Sequence, residues 1–443
     1  MSESKWHLSK YNISAKIDEE DTWYVVNLYR NTCTPMSAAT LYAMANLDEL
    51  DEDTPLLAKL AKLGIIADFD ERASLEAMAR MVCAFPHSVS ITICPTMGCN
   101  FDCPYCFEEH RNEKMTRETQ DAVIALAERM LDASGAKCLS VSWFGGEPLL
   151  APDVIEYISK RLISMCEDRG IKYSAGIITN GYLLDQKIVD MLEKCRIVRA
   201  QITLDGIGEV HDRTRHLAGG GSTFEKIASN LKTLKIPFNV NVRHNVHSEN
   251  KDQQQALKDF IEDIASHSGN KIKYYSAPVS DNKASHDRNS ELILTCDAEN
   301  ADIGVKLDTA RANPAKGHYC GAHILWFVGI DAKGRLHKCW ETVDKPGQSF
   351  GIVSEWDPKN PVATASNADN LTKFLNTVGA TCDNECMDCI WLPVCRGGCP
   401  NKRLLGGVRQ CVAYKDDPGS YVRALHSIRN GHQINPGQNS PSH

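Results

Sequence analysis

Residues 99–110 read CNFDCPYCFEEH, and this short loop decides how the rest of the chain is interpreted. Its cysteines, Cys99, Cys103 and Cys106, follow the apolar segment VSITICP (residues 89–95), which is typical of a buried strand. Cysteine is the usual protein ligand of a 4Fe–4S cluster, and four cysteines complete the coordination. Three would leave one iron open to a cofactor or substrate, as an open position marks a catalytic zinc site. The spacing favours a cluster, with a zinc site completed by a distant residue as the alternative.

The overall composition narrows the class of protein. The 443 residues contain 49 Lys and Arg against 57 Asp and Glu, which gives a net charge of -8 and no basic stripe. We therefore expect no nucleic-acid partner. No apolar run reaches the roughly 20 residues of a membrane span, and the initial MSESKWHLSK lacks the apolar core of a secretory signal. The sequence predicts a cytoplasmic protein with no membrane partner.

Cysteine usage is unusual for such a protein. Eighteen cysteines in a chain without an export signal favour metal ligation over disulfides. Beyond the loop at residues 99–110, a second group lies towards the C-terminus. Its members are Cys320, Cys339, Cys386, Cys389, Cys395, Cys399 and Cys411. Most of the other cysteines are interpreted as small buried hydrophobic residues.

Residues 88–280 alternate strand patterns with amphipathic helix patterns. The six predicted strands are VSITICP (89–95), LSVSWF (139–144), KYSAGIITN (172–180), VRAQITLDG (198–206), FNVNVRHNV (238–246) and KIKYYSAP (271–278). This alternation predicts an α/β fold with a parallel sheet or open barrel. In such a fold chemistry is expected at the C-terminal ends of the strands, where the cysteine loop lies.

The flanking regions predict additional units. Residues 1–87 indicate a small α+β unit with a hairpin, two short helices, a strand and a third helix. Residues 281–316 are polar and predict a connecting segment. Residues 317–415 hold too little periodic apolar sequence for an ordinary core, so we expect metal clusters to stabilise them. Residues 416–443 predict a C-terminal helix and a disordered tail.

Two glycines and a glutamate follow the second predicted strand, in the sequence WFGGEPLL (residues 143–150). Gly145 and Gly146 allow the backbone to approach a ligand closely, because they have no side chain. Glu147 is placed to accept a charge-assisted hydrogen bond from a ligand ammonium group. On its own this motif is equally compatible with an ordinary turn.

Two further strand ends carry polar side chains. Thr179 and Asn180 end the third predicted strand, while Thr203 and Asp205 end the fourth, and Arg215 follows. Each lies at a strand end, where chemistry is expected in such a fold, with a helix cap or a salt bridge as the alternative to a functional role. Arg215 is the strongest candidate because a guanidinium group suits a carboxylate.

CNFDCPYCFEEH resembles the cluster loop of the radical S-adenosylmethionine (SAM) superfamily, and WFGGEPLL resembles its glycine–glutamate motif. The resemblance implies a partial (β/α)6 TIM-like barrel and a 4Fe–4S cluster on the three loop cysteines. It also implies S-adenosyl-L-methionine as cofactor, contacted by Tyr105, Gly145, Gly146, Glu147, Thr179, Asn180, Thr203 and Arg215. An external electron donor such as flavodoxin or ferredoxin would drive its cleavage to methionine and a 5′-deoxyadenosyl radical, which abstracts hydrogen from substrate.

The C-terminal cysteines are similar in spacing to the SPASM domain, an extension found on radical SAM enzymes that modify peptides and proteins. The resemblance implies an auxiliary 4Fe–4S cluster on Cys386, Cys389, Cys395 and Cys411. It implies a second auxiliary cluster on Cys320, Cys339 and Cys399. The fourth ligand of that second cluster is open, with Cys382, Cys296, a substrate thiol or no protein ligand as the choices. A pair of zinc sites is the alternative, since CxxC pairs also suit zinc.

These resemblances imply a maturase that crosslinks side chains of a ribosomally made precursor peptide, through a thioether or a carbon–carbon bond. Residues 1–87 resemble a leader-peptide recognition domain, with a structural cap as the alternative. A sulfatase-maturating enzyme is disfavoured, because Trp340 stands where that branch is expected to place a carboxylate base. Glu341 is the remaining base candidate, unless it is a solvated carboxylate. A zinc-stapled binding protein without catalytic activity is the alternative of another class.

Overall fold

The computed structural model describes residues 5–17, 22–51, 53–85, 87–279, 319–412 and 414–429. The chain divides into two compact units. The first comprises residues 1–83, 293–320 and 376–443, and the second comprises residues 84–292 and 321–375. The predicted connecting segment and the predicted tail beyond residue 429 lie outside the described residues.

The N-terminal part of the first unit contains two small sheets and three helices. Its strands are β1 (His7–Leu8), β2 (Asn12–Ile17), β3 (Thr22–Asn27), β4 (Thr32–Met36) and β5 (Ile66–Ala67). Its helices are α1 (Ala38–Ala45), α2 (Pro55–Leu63) and α3 (Glu71–Ala84). Strands β2, β3 and β4 form an antiparallel sheet in that order, and β1 pairs with β5. The segment predicted as one hairpin therefore supplies four strands.

The second unit is built on one sheet of nine strands. They are β6 (Val89–Ile93), β7 (Cys138–Trp143), β8 (Lys172–Thr179), β9 (Ile197–Thr203), β10 (Asn239–Val246), β11 (Ile272–Pro278), β12 (Phe327–Ile330), β13 (Arg335–His337) and β14 (Gly351–Ile352). Their order is β11-β10-β9-β8-β7-β6-β12-β13-β14. Strands β6 to β11 are all parallel to their neighbours, which confirms the predicted parallel α/β sheet.

Helices connect these strands and cover the sheet. They are α4 (Arg117–Ser134), α5 (Pro152–Asp168), α6 (Gln186–Lys194), α7 (Glu209–Thr214), α8 (Phe224–Thr233), α9 (Gln254–Ser268) and α10 (Ala368–Leu375). Val123, Leu126 and Met130 recur at helical spacing on α4 and are buried against its neighbours. The strand–helix order is that of a partial (β/α)6 barrel, and it brings the C-terminal ends of β6 to β11 to one edge.

Residues 321–375 extend this sheet and have an apolar core of their own. Strand β12 pairs in parallel with β6, and β13 and β14 continue antiparallel. Phe350, Trp356, Leu371 and Phe374 have no exposed surface. The expectation that residues 317–415 hold too little apolar sequence for an ordinary core is therefore wrong for residues 321–375, while their stabilisation by metal clusters stays a prediction. The aromatic residues of this core are scattered rather than periodic, so a search for strand or helix periodicity does not find them.

The C-terminal part of the first unit packs against its N-terminal strands. Its helices are α11 (Asn384–Met387), α12 (Leu392–Cys395), α13 (Pro400–Gly406) and α14 (Pro418–Arg429). Tyr11, Val26, Leu28, Trp391 and Val422 share one buried cluster. The division of the chain into separate functional domains stays a prediction. Among the described residues, no helix is long and apolar enough to cross a membrane.

Candidate cluster and cofactor site

The cysteine loop begins directly after β6. Cys99 and Cys103 are half-buried, and Cys106 is exposed. The backbone N–H of Phe101 donates a hydrogen bond to Cys99 Sγ over 3.4 Å. Burial raises the pKa of Cys99 to about 12 and that of Cys106 to about 11. Thiolate ligation at this loop therefore requires a positively charged partner such as iron, because metal binding must displace the thiol protons.

The loop is tied to the segment that follows α7. The backbone N–H of Asp102 donates to His216 O over 3.1 Å, and that of Ala218 donates to Asn100 O over 2.9 Å. Phe101 and Leu217 form an antiparallel bridge between these two hydrogen bonds. The position of the cysteines is thus set by backbone contacts to a part of the chain more than one hundred residues away.

Gly145 and Gly146 pack directly against the backbone of the cysteine loop. A Cβ atom on Gly146 would lie 2.3 Å from Gly98 O, and one on Gly145 would lie 2.5 Å from Thr96 O. Gly145 also has a φ of +107°, which side-chain-bearing residues rarely adopt. The backbone N–H of Glu147 donates to Gly98 O over 2.8 Å. Only glycines allow this approach, so the two predicted motifs form one site.

The Glu147 carboxylate is buried and already hydrogen-bonded. It accepts bonds from Leu149 N over 2.9 Å, Thr179 Oγ1 over 2.7 Å and Asn180 N over 2.7 Å. Burial raises its pKa, and these donors oppose that shift. A carboxylate has about four acceptor positions, so these three bonds leave little capacity for a ligand. Glu147 joins the ends of β7 and β8, and its contact with an ammonium group stays a prediction.

Tyr105, Asp205 and Arg215 form a buried network beside the cysteine loop. Arg215 Nη1 donates to Tyr105 Oη over 2.9 Å, and Tyr105 Oη donates to the Asp205 carboxylate. Burial lowers the pKa of Arg215, but Tyr105, Cys103 and Asp205 outweigh it and hold this pKa above its usual range. The charge of Arg215 therefore faces protein groups. Its predicted contact with a cofactor carboxylate stays a prediction, as does that of Thr203, which is buried at the end of β9.

Strand β10 adds two residues that the sequence interpretation missed. Asn245 Nδ2 donates to Tyr105 Oη over 3.3 Å, and Arg243 Nε donates to Asn245 Oδ1 over 2.7 Å. Polar residues occupy every second position of this strand, at 239, 241, 243 and 245, while Val240 and Val242 are fully buried. This alternation could have indicated Arg243 and Asn245 as candidate site residues, because one face of a barrel strand lines the interior.

The base candidate Glu341 lies beside a group of aromatic rings. Trp340 packs against Phe144 in a tilted arrangement with centroids 5.3 Å apart, and Glu341 is half-buried in the same short turn. Glu108 and Asp344 are further carboxylates in this unit, and both are buried. Burial and the nearby Asp344 charge raise the pKa of Glu108 to about 8. The role of Glu341 as a base stays a prediction.

Four of the C-terminal cysteines line one cavity in the first unit. They are Cys386, Cys389, Cys395 and Cys411, and the cavity has a volume of about 210 Å³. Burial raises the pKa of Cys395 to about 12. Four thiols around one cavity are the donor set of a 4Fe–4S cluster, so these residues fit such a group.

The other predicted cluster ligands are distributed over both units. Cys320 is exposed and Cys399 is half-buried in the first unit, while Cys339 is buried in the second. Cys382 is exposed, and Cys296 lies outside the described residues. A cluster shared by the first three stays a prediction.

No three Cys, His, Asp or Glu side chains within the described ranges are close enough to hold a single metal ion. Thiolates on a 4Fe–4S cluster bind different iron atoms, so they stand farther apart than the ligands of one ion. The absence of a single-ion site in the described residues is therefore compatible with a cluster on the loop cysteines and with one in the cysteine-lined cavity.

Comparison with known proteins agrees with this site. The Radical SAM superfamily model matches residues 93–261. The chain is 24% identical over 360 residues to the cysteine-type anaerobic sulfatase-maturating enzyme of Clostridium perfringens (strain 13 / Type A), covering 74% of this chain and 91% of that protein. It is 24% identical over 332 residues to the PqqA peptide cyclase of Gluconobacter oxydans (strain 621H), covering 72% and 84%.

Two solved structures share the fold. Native anSMEcpe with bound AdoMet and Kp18Cys peptide superimposes with a TM-score of 0.58 at 19% identity, covering 77% of this chain and 99% of that one. Streptococcus suis SuiB bound to S-adenosylmethionine superimposes with a TM-score of 0.50 at 17% identity, covering 89% and 95%. The superfamily match, rather than these structures, assigns a 4Fe–4S cluster and S-adenosylmethionine as the cofactors of residues 93–261. The chain therefore contains a radical SAM domain over residues 93–261.

Proposed function

We propose that this enzyme modifies a ribosomally made peptide by crosslinking two of its side chains. The bond is a thioether where a substrate cysteine reaches an auxiliary cluster, and a carbon–carbon bond otherwise. The main structural support for radical chemistry is the packing of Gly146 against Gly98. A Cβ atom on Gly146 would lie 2.3 Å from Gly98 O. This packing joins the cysteine loop to the glycine–glutamate motif in one site.

In this proposal Cys99, Cys103 and Cys106 hold the radical-generating cluster. When bound, the cluster and S-adenosylmethionine supply a 5′-deoxyadenosyl radical, using one electron from an external donor such as flavodoxin or ferredoxin. The chain orients these groups. Tyr105 and Arg215 brace the loop through their 2.9 Å hydrogen bond, and Gly145 and Gly146 let the glycine–glutamate motif pack against the backbone of that loop.

The choice of a peptide substrate rests on the relatives and on the C-terminal cysteines. One relative is a PqqA peptide cyclase, and the match covers 84% of it. The cavity lined by Cys386, Cys389, Cys395 and Cys411 supports a first auxiliary cluster. A second one, on Cys320, Cys339 and Cys399, is proposed on spacing alone.

The proposal is tested with a short cysteine-containing peptide encoded beside this enzyme's gene. Incubation with enzyme, S-adenosylmethionine and reductant is expected to remove two hydrogens from the peptide, as measured by mass spectrometry. An unchanged mass would contradict crosslinking. Cys103→Ala is expected to abolish 5′-deoxyadenosine formation, because the cluster loses a ligand. Cys138→Ala, at the opposite end of the sheet at the start of β7, serves as the control and should retain it.

Sulfatase maturation is the second candidate, because the match covers 91% of the sulfatase-maturating relative. Trp340 is an argument against it, since an indole cannot accept a proton and here packs against Phe144. Conversion of a sulfatase-derived cysteine peptide to formylglycine would favour this candidate. Anaerobically purified protein containing zinc in place of iron would instead support a zinc-stapled binding protein.

We also propose that residues 1–87 hold the leader segment of the peptide as an added strand. Strand β4 (Thr32–Met36) lies at an edge of its three-stranded sheet, which is the geometry that strand addition uses. Hydrogen exchange measured with and without the full precursor peptide is expected to slow at the β4 amides. Unchanged exchange throughout residues 1–87 would indicate a structural cap.

A further inference from the structure

The cavity lined by Cys386, Cys389, Cys395 and Cys411 contains a guanidinium group in direct contact with one of its sulfurs. Arg403 Nη2 donates a hydrogen bond to Cys386 Sγ over 3.2 Å. The same nitrogen donates to Gly397 O over 2.9 Å. Arg403 lies on α13 and its side chain is only 12% exposed, so water competes weakly for these donors.

Asp383 holds Arg403 in this position. Its Oδ2 atom accepts from Arg403 Nη1 over 2.5 Å and from Arg409 Nε over 2.6 Å. Its Oδ1 atom accepts from the backbone N–H of Cys386 over 3.3 Å, at the start of α11. One carboxylate thus fixes both the guanidinium group and the helix that carries the cysteine. The Arg403–Cys386 contact is therefore part of a hydrogen-bond network centred on Asp383.

The charges around the sulfur are balanced, and Cys386 Sγ also lies 3.5 Å from Asp383 Oδ2. Two guanidinium groups, those of Arg403 and Arg409, share the single carboxylate of Asp383, and Glu385 engages Arg409 in addition. Arg409 donates to the carboxylates of Asp383 and Glu385, whereas Arg403 Nη2 donates to Cys386 Sγ. Arg403 is therefore the donor that acts on the cysteine directly.

We propose that Arg403 is a positioning residue that raises the reduction potential of the auxiliary cluster bound by these four cysteines. This inference rests on the proposed cluster site. A hydrogen bond to a ligand sulfur withdraws electron density from it, and a nearby positive charge stabilises the reduced, more negative cluster. Both effects act in the same direction at Cys386.

The test is a potentiometric titration of the full-length protein, followed by electron paramagnetic resonance. The signal of this cluster is assigned as the one that is lost in Cys386→Ala. Arg403→Met is expected to shift its reduction equilibrium at least tenfold towards the oxidised form, which corresponds to about 59 mV for one electron. Arg403→Gln, which keeps an amide donor without the charge, is expected to shift it less. Arg409→Met is the matched control, with a smaller shift than Arg403→Met.

The outcomes separate this inference from the cluster site itself. If Cys386→Ala loses neither iron nor a signal, the proposed cluster site is wrong. If the signal is assigned but keeps its potential in both Arg403 variants, the inference is overturned and the site stands. Equal shifts in Arg403→Met and Arg409→Met would also overturn it, because general electrostatics would then account for the effect. Should Arg403→Met lose the cluster, the potential of Arg403→Gln decides between these outcomes.

Discussion

Arg215 Nη1 and Tyr105 Oη are joined by a 2.9 Å hydrogen bond across 110 residues of chain. The tyrosine lies between Cys103 and Cys106 in the cysteine loop, and the arginine follows α7. Asp205, which has no exposed surface, accepts a hydrogen bond from the same phenol hydroxyl group. Without these hydrogen bonds the loop would keep its backbone contacts and the 2.8 Å hydrogen bond from Asn180 Nδ2 to Asn100 Oδ1, but it would lose its link to Asp205 and Arg215.

Tyr105→Phe is expected to lower the free energy of unfolding by about 1–3 kcal/mol, because buried Asp205 and Arg215 lose a partner. Urea unfolding of variant and wild type measures this difference. Tyr157→Phe is the matched control, since its hydroxyl bonds Asp121 at an exposed position and should matter by about 0.5 kcal/mol or less. Equal stability of Tyr105→Phe and wild type would show that the network does not brace the loop.

Gly146→Ala is expected to abolish S-adenosylmethionine cleavage, because the new Cβ would meet Gly98 O at 2.3 Å and force the two motifs apart. Chromatographic measurement of 5′-deoxyadenosine reports the loss. At Gly219 an added Cβ has nothing within 4 Å, so Gly219→Ala should keep wild-type cleavage. Full activity of Gly146→Ala would contradict the close packing of the two motifs.

Glu147→Gln distinguishes a structural role from an ammonium-binding role. The carboxylate accepts three hydrogen bonds within the protein, and an amide cannot accept all of them. We expect a loss of about 2–3 kcal/mol in unfolding free energy even without cofactor. Glu156→Gln, on the exposed side of α5, should change stability by no more than about 0.5 kcal/mol. A cofactor-free Glu147→Gln protein of wild-type stability would favour pure ammonium binding.

His244 is expected to make the stability of the barrel sensitive to acid. Burial, and then His247, lower its pKa from 6.5 to about 4, and its Nδ1 shares a 3.0 Å hydrogen bond with Tyr274 Oη. Between pH 6.5 and pH 4 the unfolded chain binds a proton that the folded chain does not. Stability is therefore complete above pH 6.5 and falls as the pH drops, by up to about 3 kcal/mol.

The measurement for His244 is urea unfolding across this pH range, in wild type and in His244→Gln. Wild type is expected to lose stability more steeply with falling pH, because the variant lacks the titrating imidazole. His211 is also buried and is present in both proteins, so its contribution cancels in the comparison. Parallel pH profiles would show that His244 does not contribute.

The strands and helices of the second unit could be read from the sequence because their signals are local. The segment FNVNVRHNV (238–246) alternates side chains as a strand, and β10 occupies Asn239–Val246. The amphipathic segment TRETQDAVIALAERML (116–131) has the spacing of a helix, and α4 occupies Arg117–Ser134. Such periodicity arises from one buried face and needs no knowledge of the partner that buries it.

Local periodicity did not indicate strands β12 to β14. It also did not indicate the core that Tyr11 and Trp391 share. Strand β12 has only four residues, and its place beside β6 depends on residues more than two hundred positions earlier. Tyr11 and Trp391 are separated by most of the chain. Short strands and scattered aromatic residues acquire a role only when distant segments pack together.

The sequence by itself determined the superfamily, because Cys99, Cys103 and Cys106 and the glycine–glutamate motif are short runs whose spacing is set by local backbone geometry. The tertiary structure decided what surrounds them. It directed the Glu147 carboxylate towards Thr179 and Asn180, gave Tyr105 its partners, and brought Arg403 to Cys386. Hydrogen bonds of this kind depend on distances of about 3 Å between side chains on different elements. Only the packing of those elements fixes such distances.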